Sequence, residues 1–352
     1  MPTGAQPLVQ GPAGGPDPSP ARVGGESRMR TIAGFVVSIV AVGGVVWWAS
    51  NQPSPRFPSA PGELALIGAA VLVYAGATLL RGWRWDQVLR TMEIEHRPID
   101  AYGLTAVGYM GNTVLPARGG EVLRIFLMAE RSHARRTEVL GSIVTERLLD
   151  VVALVVLFSA VTLIGVDGAP GGTLAGAGAA VGVLGAAALV FGYDRARKAG
   201  RLESFAERIR PVARASRVLL TPRGLLLGGA TLLVWCGEGA ILWLVMQALD
   251  VPIALPEGQA VVVLASLSAL IPAGPGYVGT YDAAALFALH RIGVQGGEAV
   301  SAVVLFRFVV FVPLTLVGLT VMITRYGGLR AALRREHASE HEAAPSTPQE
   351  LR

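Results

Sequence analysis

The chain has 352 residues, 52% of them hydrophobic and 16% charged, with a mean hydropathy of +0.52 and a net charge of +5. Soluble domains carry about 25% charged residues, and here the deficit runs along the whole length, which excludes a soluble protein with one apolar core. The single cysteine, Cys236, excludes an internal disulfide, and the basic balance reads as the arginine bias of cytoplasmic membrane loops rather than as a nucleic-acid surface.

Residues 1–27 are rich in Gly, Pro and Ala without apolar periodicity, so residues 1–30 are expected to be a disordered cytoplasmic tail. Uncharged runs follow at 31–55, 64–80, 151–166, 168–193, 224–237, 239–249, 258–281 and 308–324. A helical span needs about 20 mostly apolar residues. The runs therefore predict an all-α polytopic membrane protein, not the ten-residue alternation of a barrel. Arginine placement sets the direction of each crossing. Arg22, Arg28 and Arg30 put the N-terminus inside, and span 1 (about 31–50) leads out. It is longer than the ~7–15-residue core of a secretory signal, so it is expected to be retained. Span 2 (about 62–81) returns to the basic RGWRWDQVLR, where Trp83 and Trp85 are expected to anchor at the interface, as Trp47 and Trp48 are on span 1.

Residues 101–117 are apolar, yet Arg118, Arg124, Arg131, Arg135 and Arg136 follow. One crossing would place all of them outside; a hairpin that enters from the cytoplasm and turns back at 116–120 keeps them inside. Span 3 (about 138–166) and span 4 (173–193) lead to a basic segment at 194–217, readable as an interfacial helix or a plain cytoplasmic loop. Span 5 (224–249) leads out, residues 258–292 form a second hairpin, and span 6 (about 297–324) returns to the tail at 326–352. The result is about six spans plus two re-entrant helical hairpins in a domain over 31–325, with both termini cytoplasmic and the cell membrane as location. Counting the hairpin arms as crossings gives eight or more segments instead.

The hairpin tips align without gaps: LPARGGEV (115–122) and IPAGPGYV (271–278) share Pro, Ala, Gly and Val. Arg147 follows the first and Arg307 the second at similar spacing. Each half, about 62–166 and 224–324, reads as span, hairpin and long span, entered from opposite sides. This is the pattern of an inverted-topology repeat, which in transporters places substrate near the midplane at broken helices.

The charges near those tips lie at membrane depth. From Asp150 to Val166 a helix covers only about 24 Å, short of the ~30 Å hydrocarbon core. Span 3 must therefore draw Glu146, Arg147 and Asp150 to its edge or inside. Glu238 falls near the middle of span 5 and Arg307 well inside span 6. An ionised side chain there costs about 2.5–3.5 kcal/mol on insertion scales, so these groups face a polar cavity or one another. Arg118, Arg124 and Arg147 balance Glu121, Glu146 and Asp150, either as a closed network or as the wall of a groove. In the stretch opened by Asn112, Gly119 and Gly120 permit close backbone approach, helix N–H groups attract an anion, and Arg118 adds a bidentate donor. That mix suits a lipid phosphate. In the second tip, Gly274, Gly276 and Gly279 are expected to give similar access, Tyr277 and Tyr281 could bond a headgroup, and Asp282 or Glu238 could meet an amine or carry a proton. Tight helix packing is the alternative use of the glycines.

NTVLPARGGEVLR, TERLLD, LIPAGPGYVGTYD and a mid-span FR, in that order, resemble the membrane domain of lysylphosphatidylglycerol synthases and related flippase-like proteins, over about 35–325. Asp282 stands where that family more often has Glu, keeping the charge with a shorter reach. The residues after Tyr326 are too few for the soluble aminoacyl-transferase domain, so the resemblance implies lipid translocation by a stand-alone unit. The expected partner is a membrane lipid with an anionic phosphate headgroup, with no cofactor, no metal and no nucleic acid. HASEH (337–341) matches an inverted zinc-protease pattern but has too little chain after it for a further ligand, and no Walker-type ATP motif is present. A lipid-modifying enzyme, or a non-catalytic subunit of a cell-envelope enzyme, is the alternative reading. Cys236 is expected to pack as a small hydrophobe.

Overall fold

The computed structural model describes residues 56–115, 118–166, 221–268 and 275–327. Among them the chain forms eight α-helices and a 3-10 turn, with no strand: α1 Pro61–Thr91, α2 Pro98–Val114, α3 Gly119–Ser132, α4 Arg136–Leu163, α5 Pro222–Ala248, α6 Leu255–Ser268, the turn Pro275–Tyr277, α7 Thr280–Arg291 and α8 Gly296–Tyr326. Spans 1 and 4, the 194–217 segment, both tails and Gly274 lie outside the described residues.

Local chemistry explains where helices start. Pro98 opens α2, its missing N–H being unneeded in a first turn. Pro61 does the same for α1, where the Glu63 carboxylate accepts the backbone N–H groups of Ser59 (2.7 Å) and Ala60 (3.1 Å). At α5 the Thr221 hydroxyl accepts from the Gly224 N–H at 3.2 Å, ahead of Pro222. α8 runs through Pro313 and ends at Gly327, whose φ of 75° suits a glycine C-cap.

α1, α5 and α8 are long and apolar enough to cross a membrane. With 31, 27 and 31 residues they reach about 47, 41 and 47 Å at 1.5 Å per residue, beyond the ~30 Å hydrocarbon core. α4 has 28 residues, but its first half carries Glu138, Glu146, Arg147 and Asp150. α2, α3 and α7 have 17, 14 and 12 residues, about 26, 21 and 18 Å, each short of that thickness; α6 has 14 described residues.

The fold is apolar outside and partly charged inside. Leu72 on α1 is 73% exposed and Leu225 on α5 78%, whereas Arg81, Arg84, Arg124, Glu146, Asp150, Glu238 and Asp282 are buried. Such an inversion fits lipid as solvent, where apolar side chains lose nothing outside and ionised ones must find one another within. Cys236, expected to pack as a small hydrophobe, is exposed on the outer face of α5, while Glu238 two residues on is buried.

α1 lies along α5 and also meets α2 and α8; α2 packs on α3 and α8; α5 packs on α6, which meets α7; α4 crosses α5 and α6. One apolar cluster joins α1, α5, α6, α7 and α8 through residues such as Tyr74, Ile241, Val261, Leu289 and Phe306. A second joins the C-terminal end of α1 to α2, α3 and the end of α8 through Trp85, Leu104, Leu127 and Tyr326. α2 and α3 double back on each other at glycines: a Cβ on Gly111 would lie 2.5 Å from Gly120 Cα, and one on Gly120 would strike the Gly108 carbonyl.

The expected end of span 2 near residue 81 differs from the structure. α1 continues to Thr91, and RGWRWDQVLR is helical with Arg81, Arg84 and Trp85 buried. The helix continues because those arginines find carboxylates inside and have no need of water.

Candidate functional site

Two arginines one turn apart on α1, Arg81 and Arg84, face the interior. Arg81 Nη2 donates to Glu238 Oε1 of α5 at 2.5 Å. Its guanidinium carbon also lies 5.7 Å from the Tyr74 ring centre and 5.3 Å from that of Tyr109. Arg84, 1% exposed, reaches two carboxylates of α4: Nη1 donates to Asp150 Oδ1 at 2.8 Å and Nη2 to Glu146 Oε1 at 3.3 Å. Thr231 Oγ1 of α5 accepts a further bond at 2.9 Å.

Glu146 is shared. Its other oxygen accepts from Arg124 Nη2 of α3 at 2.6 Å, and the Arg124 guanidinium stacks 3.9 Å over Trp85, whose Nε1 donates to Ser142 Oγ at 3.0 Å. The chain of charges continues outward. Arg147 pairs with Asp150 at 3.2 Å and with Glu121 at 3.6 Å, and Arg118 with Glu121 at 4.0 Å. Four arginines and three carboxylates thus form one linked network, beside the separate pair Arg81–Glu238. A second separate pair, Arg307–Asp282, joins α8 to the start of α7. Arg307 also donates to the carbonyls of Gly276 (3.1 Å) and Tyr277 (3.3 Å), and Asp282 caps α7 by accepting the Gly279 N–H at 2.9 Å.

The two chain breaks meet. Arg118 lies 5.5 Å from the Tyr277 ring centre, and a Cβ on Gly276 would stand 3.8 Å from the Thr113 carbonyl. Arg118 and Tyr277 both hold left-handed backbone, with φ of 57° and 55°, a conformation that costs an L-residue roughly 1–2 kcal/mol. Between the breaks and the long helices lies a cavity of about 270 Å³, walled by Arg81, Arg118, Arg124, Arg147, Asp150 and Glu238, by Asn112 and Gly276, and by the rings of Tyr74, Tyr109, Trp235, Tyr277, Tyr281, Phe306 and Phe311. Among the described residues, Arg81 Nη1 and the Nε atoms of Arg84, Arg124 and Arg147 are buried without a hydrogen-bond partner. Unmet buried donors cost free energy, and three of these four arginines line the cavity.

The family model described as lysylphosphatidylglycerol synthase TM region matches residues 32–318, well over half of the chain. The chain belongs to this family. Among curated proteins it is similar to glycosyltransferase AglD of Haloferax volcanii, 26% identical over 140 residues, 39% of this chain and 22% of that protein. It is also similar to the UPF0104 membrane protein PH1989 of Pyrococcus horikoshii, 23% identical over 125 residues, 35% of this chain and 37% of that protein. The matches span about a fifth and just over a third of those relatives' own lengths.

In this member of the lysylphosphatidylglycerol synthase TM family, the structure gathers Asn112, Arg118, Arg124, Arg147, Asp150, Glu238, Tyr277 and Tyr281 around one cavity. Glu121, Glu146, Asp282 and Arg307 stand behind that wall as ion-pair partners. Gly119 and Gly120 do not line the cavity; their missing side chains make room for Leu115 and for the α2 backbone, which is the packing use of glycine. Asp282 meets Arg307 rather than open space. Sequence reasoning missed Arg81, Arg84, Tyr74 and Tyr109. The signal was the seven-residue step from Tyr74 to Arg81 and the three-residue step to Arg84, which put all three on one face of α1. Trp85 is buried under Arg124 and does not reach an interface, whereas Trp83 is partly buried against Val88, Leu149 and Leu227.

Proposed function

We propose that the chain is a flippase-like lipid translocator whose cavity receives the phosphate headgroup of a phospholipid or polyprenyl-linked lipid while the acyl or prenyl chains stay in the bilayer. The observation that carries this reading is the cavity wall. Arg81, Arg118, Arg124 and Arg147 line a cavity of about 270 Å³ beside two carboxylates, Asp150 and Glu238, and the planar guanidinium fork matches a phosphate group bidentately. In this reading the pairs α2–α3 and α6–α7 are re-entrant hairpins entering from opposite leaflets. The halves 62–166 and 224–324 are inverted repeats, six spans leave both termini cytoplasmic, and the protein sits in the cell membrane. The meeting of the two tips at Arg118 and Tyr277 supports a site at the repeat interface. Movement follows from rocking of one half against the other, driven by a gradient or by lipid concentration.

Arg118→Ala is expected to stop headgroup movement in proteoliposomes while the protein still purifies as a folded species, because the Arg118 side chain is 38% exposed and its pair with Glu121 spans 4.0 Å. Unchanged lipid flipping by that variant rejects the assignment. The name of the Haloferax relative favours a second reading, a membrane subunit serving an enzyme that acts on envelope lipids. A stoichiometric enzyme co-purifying with the chain, with no flipping by the chain alone, would favour it.

A further inference from the structure

Resting on the translocator reading, we infer that Glu238 is a proton-binding site tied to the headgroup: an anionic phosphodiester entering the cavity brings one proton onto this carboxylate, and lipid and proton cross together. The carboxylates around the cavity are not held alike. Arg84 pairs with Asp150 at Oδ1 (2.8 Å) and Arg147 at Oδ2 (3.2 Å). Glu146 takes Arg84 at one oxygen and Arg124 at the other. Asp282 takes Arg307 at one oxygen and the Gly279 N–H at the other. Glu238 differs. Its Oε1 accepts from Arg81 at 2.5 Å, and its Oε2 accepts no hydrogen bond among the described residues. The side chain keeps 11% of its surface open, and it lines the cavity.

Glu238 stands in the middle third of α5, a helix long and apolar enough to cross a membrane. The helices packed on α5 are α1, α4, α6 and α8. α1 brings Arg81 and Tyr74 to the same cavity, and α4 brings Arg147 and Asp150. α8 brings Arg307, held by Asp282 and lying over the cavity-lining Tyr281. α6 carries only Glu257, in its first turn, where it accepts the Ala254 N–H. Arginine keeps its proton and favours the ionised form of a carboxylate beside it, so Glu238 is ionised against Arg81 while the cavity is empty. A phosphodiester stays a monoanion throughout the range in which carboxylates titrate. Set beside Glu238 in a site of lower effective dielectric than water, it disfavours a second negative charge. The open oxygen then takes a proton. Whatever fixed charges surround the site, the added anion shifts Glu238 in that direction.

The step balances. Water on the open side supplies the proton, an O–H bond forms at Glu238 Oε2, and the headgroup keeps its own charge. On the far side the headgroup leaves, the proton returns to water, and Glu238 is again the ionised partner of Arg81. A monoanion and a proton crossing together move no net charge, so a pH gradient drives the cycle and a membrane potential does not. Coupling is reciprocal: a proton on Glu238 strengthens headgroup binding as much as the headgroup strengthens proton binding. Asp150, Glu146 and Asp282, with both oxygens engaged, stay with their partners.

The test uses the full chain in nanodiscs and soluble glycerophosphoglycerol as probe, with calorimetry from pH 5.5 to 8.5 and a pH dye in weak buffer. Binding is expected to take up close to one proton per headgroup over part of that range, with affinity rising up to about tenfold per unit fall in pH there. Glu238→Gln, which mimics the protonated acid, is expected to bind with pH-independent affinity and no proton uptake; its melting temperature is measured alongside. In proteoliposomes an imposed pH gradient should concentrate phosphatidylglycerol severalfold in the leaflet on the alkaline side. Binding without proton uptake by the wild-type protein, or uptake that persists in folded Glu238→Gln, overturns the inference. Preferred binding of glycerophosphoethanolamine without a proton gives Glu238 to an ammonium instead and overturns it too. Absence of any headgroup binding overturns the translocator reading beneath it, a result distinct from binding without a proton.

Discussion

Glu146 is the carboxylate whose loss should hurt the fold most. It is 1% exposed and accepts from Arg84 at 3.3 Å and from Arg124 at 2.6 Å, two arginines 1% and 3% exposed. In Glu146→Gln, Arg84 keeps Asp150 and Thr231, but Arg124 is left with only the face of Trp85. Breaking a buried pair from one side costs about 3–5 kcal/mol, because a buried charge is left without compensation. Glu121 gives the contrast: it stands 4.0 Å from Arg118 and 3.6 Å from Arg147, whose side chains are 38% and 36% exposed, so losing both partly exposed pairs should cost about 1–2 kcal/mol at most. Unfolding in mixed micelles, followed by tryptophan fluorescence, should therefore rank Glu146→Gln far below Glu121→Gln in stability. The double variant Glu146→Gln/Arg124→Met removes the stranded cation and should recover part of the loss. A Glu146→Gln protein no less stable than Glu121→Gln would refute the reasoning, since it would mean that water reaches the network and screens it.

Three further outcomes follow from the same geometry. Gly120→Ala should destabilise the protein strongly, because its Cβ meets the Gly108 carbonyl and Asn112, whereas Gly68→Ala and Gly76→Ala on the outer face of α1 meet nothing and should be neutral or gain up to about 1 kcal/mol in the same assay. With Cys236 replaced by serine, Thr113→Cys/Gly276→Cys should form a reducible cross-link between the two tips and stop lipid movement until reductant is added. Failure to cross-link would separate the tips in the membrane. Arg56→Ala should leave stability nearly unchanged in the same assay, because Arg56 is exposed where it pairs with Glu63 and Asp250.

Helical class, membrane character and most of the cavity's charged residues were legible in the linear pattern. Arg118, Arg124, Arg147 and Asp150 interrupt apolar runs, and an ionised group in such a run has few physical options. Long apolar runs likewise located α5 and α8 to within a few residues. Arg81 and Arg84 escaped notice because two arginines after an apolar run look the same whether they mark a cytoplasmic flank or continue a buried helix. Only the position of Glu238, Glu146 and Asp150, on helices more than 60 residues away in sequence, distinguishes the two.

The sequence by itself determined that the chain is membrane-embedded, that it breaks its helices near Pro116 and Pro272, and that its buried charges need partners. Hydropathy and helix-breaking residues act over a few turns, so they can be read locally. Tertiary structure decided which partner each charge takes, that Gly120 serves packing against Gly108 and Gly111, and that the two breaks converge on Arg118 and Tyr277 around one cavity. Those outcomes depend on how α1 lies against α4 and α5. An ion pair is a relation in space, and no local pattern along a single helix carries it.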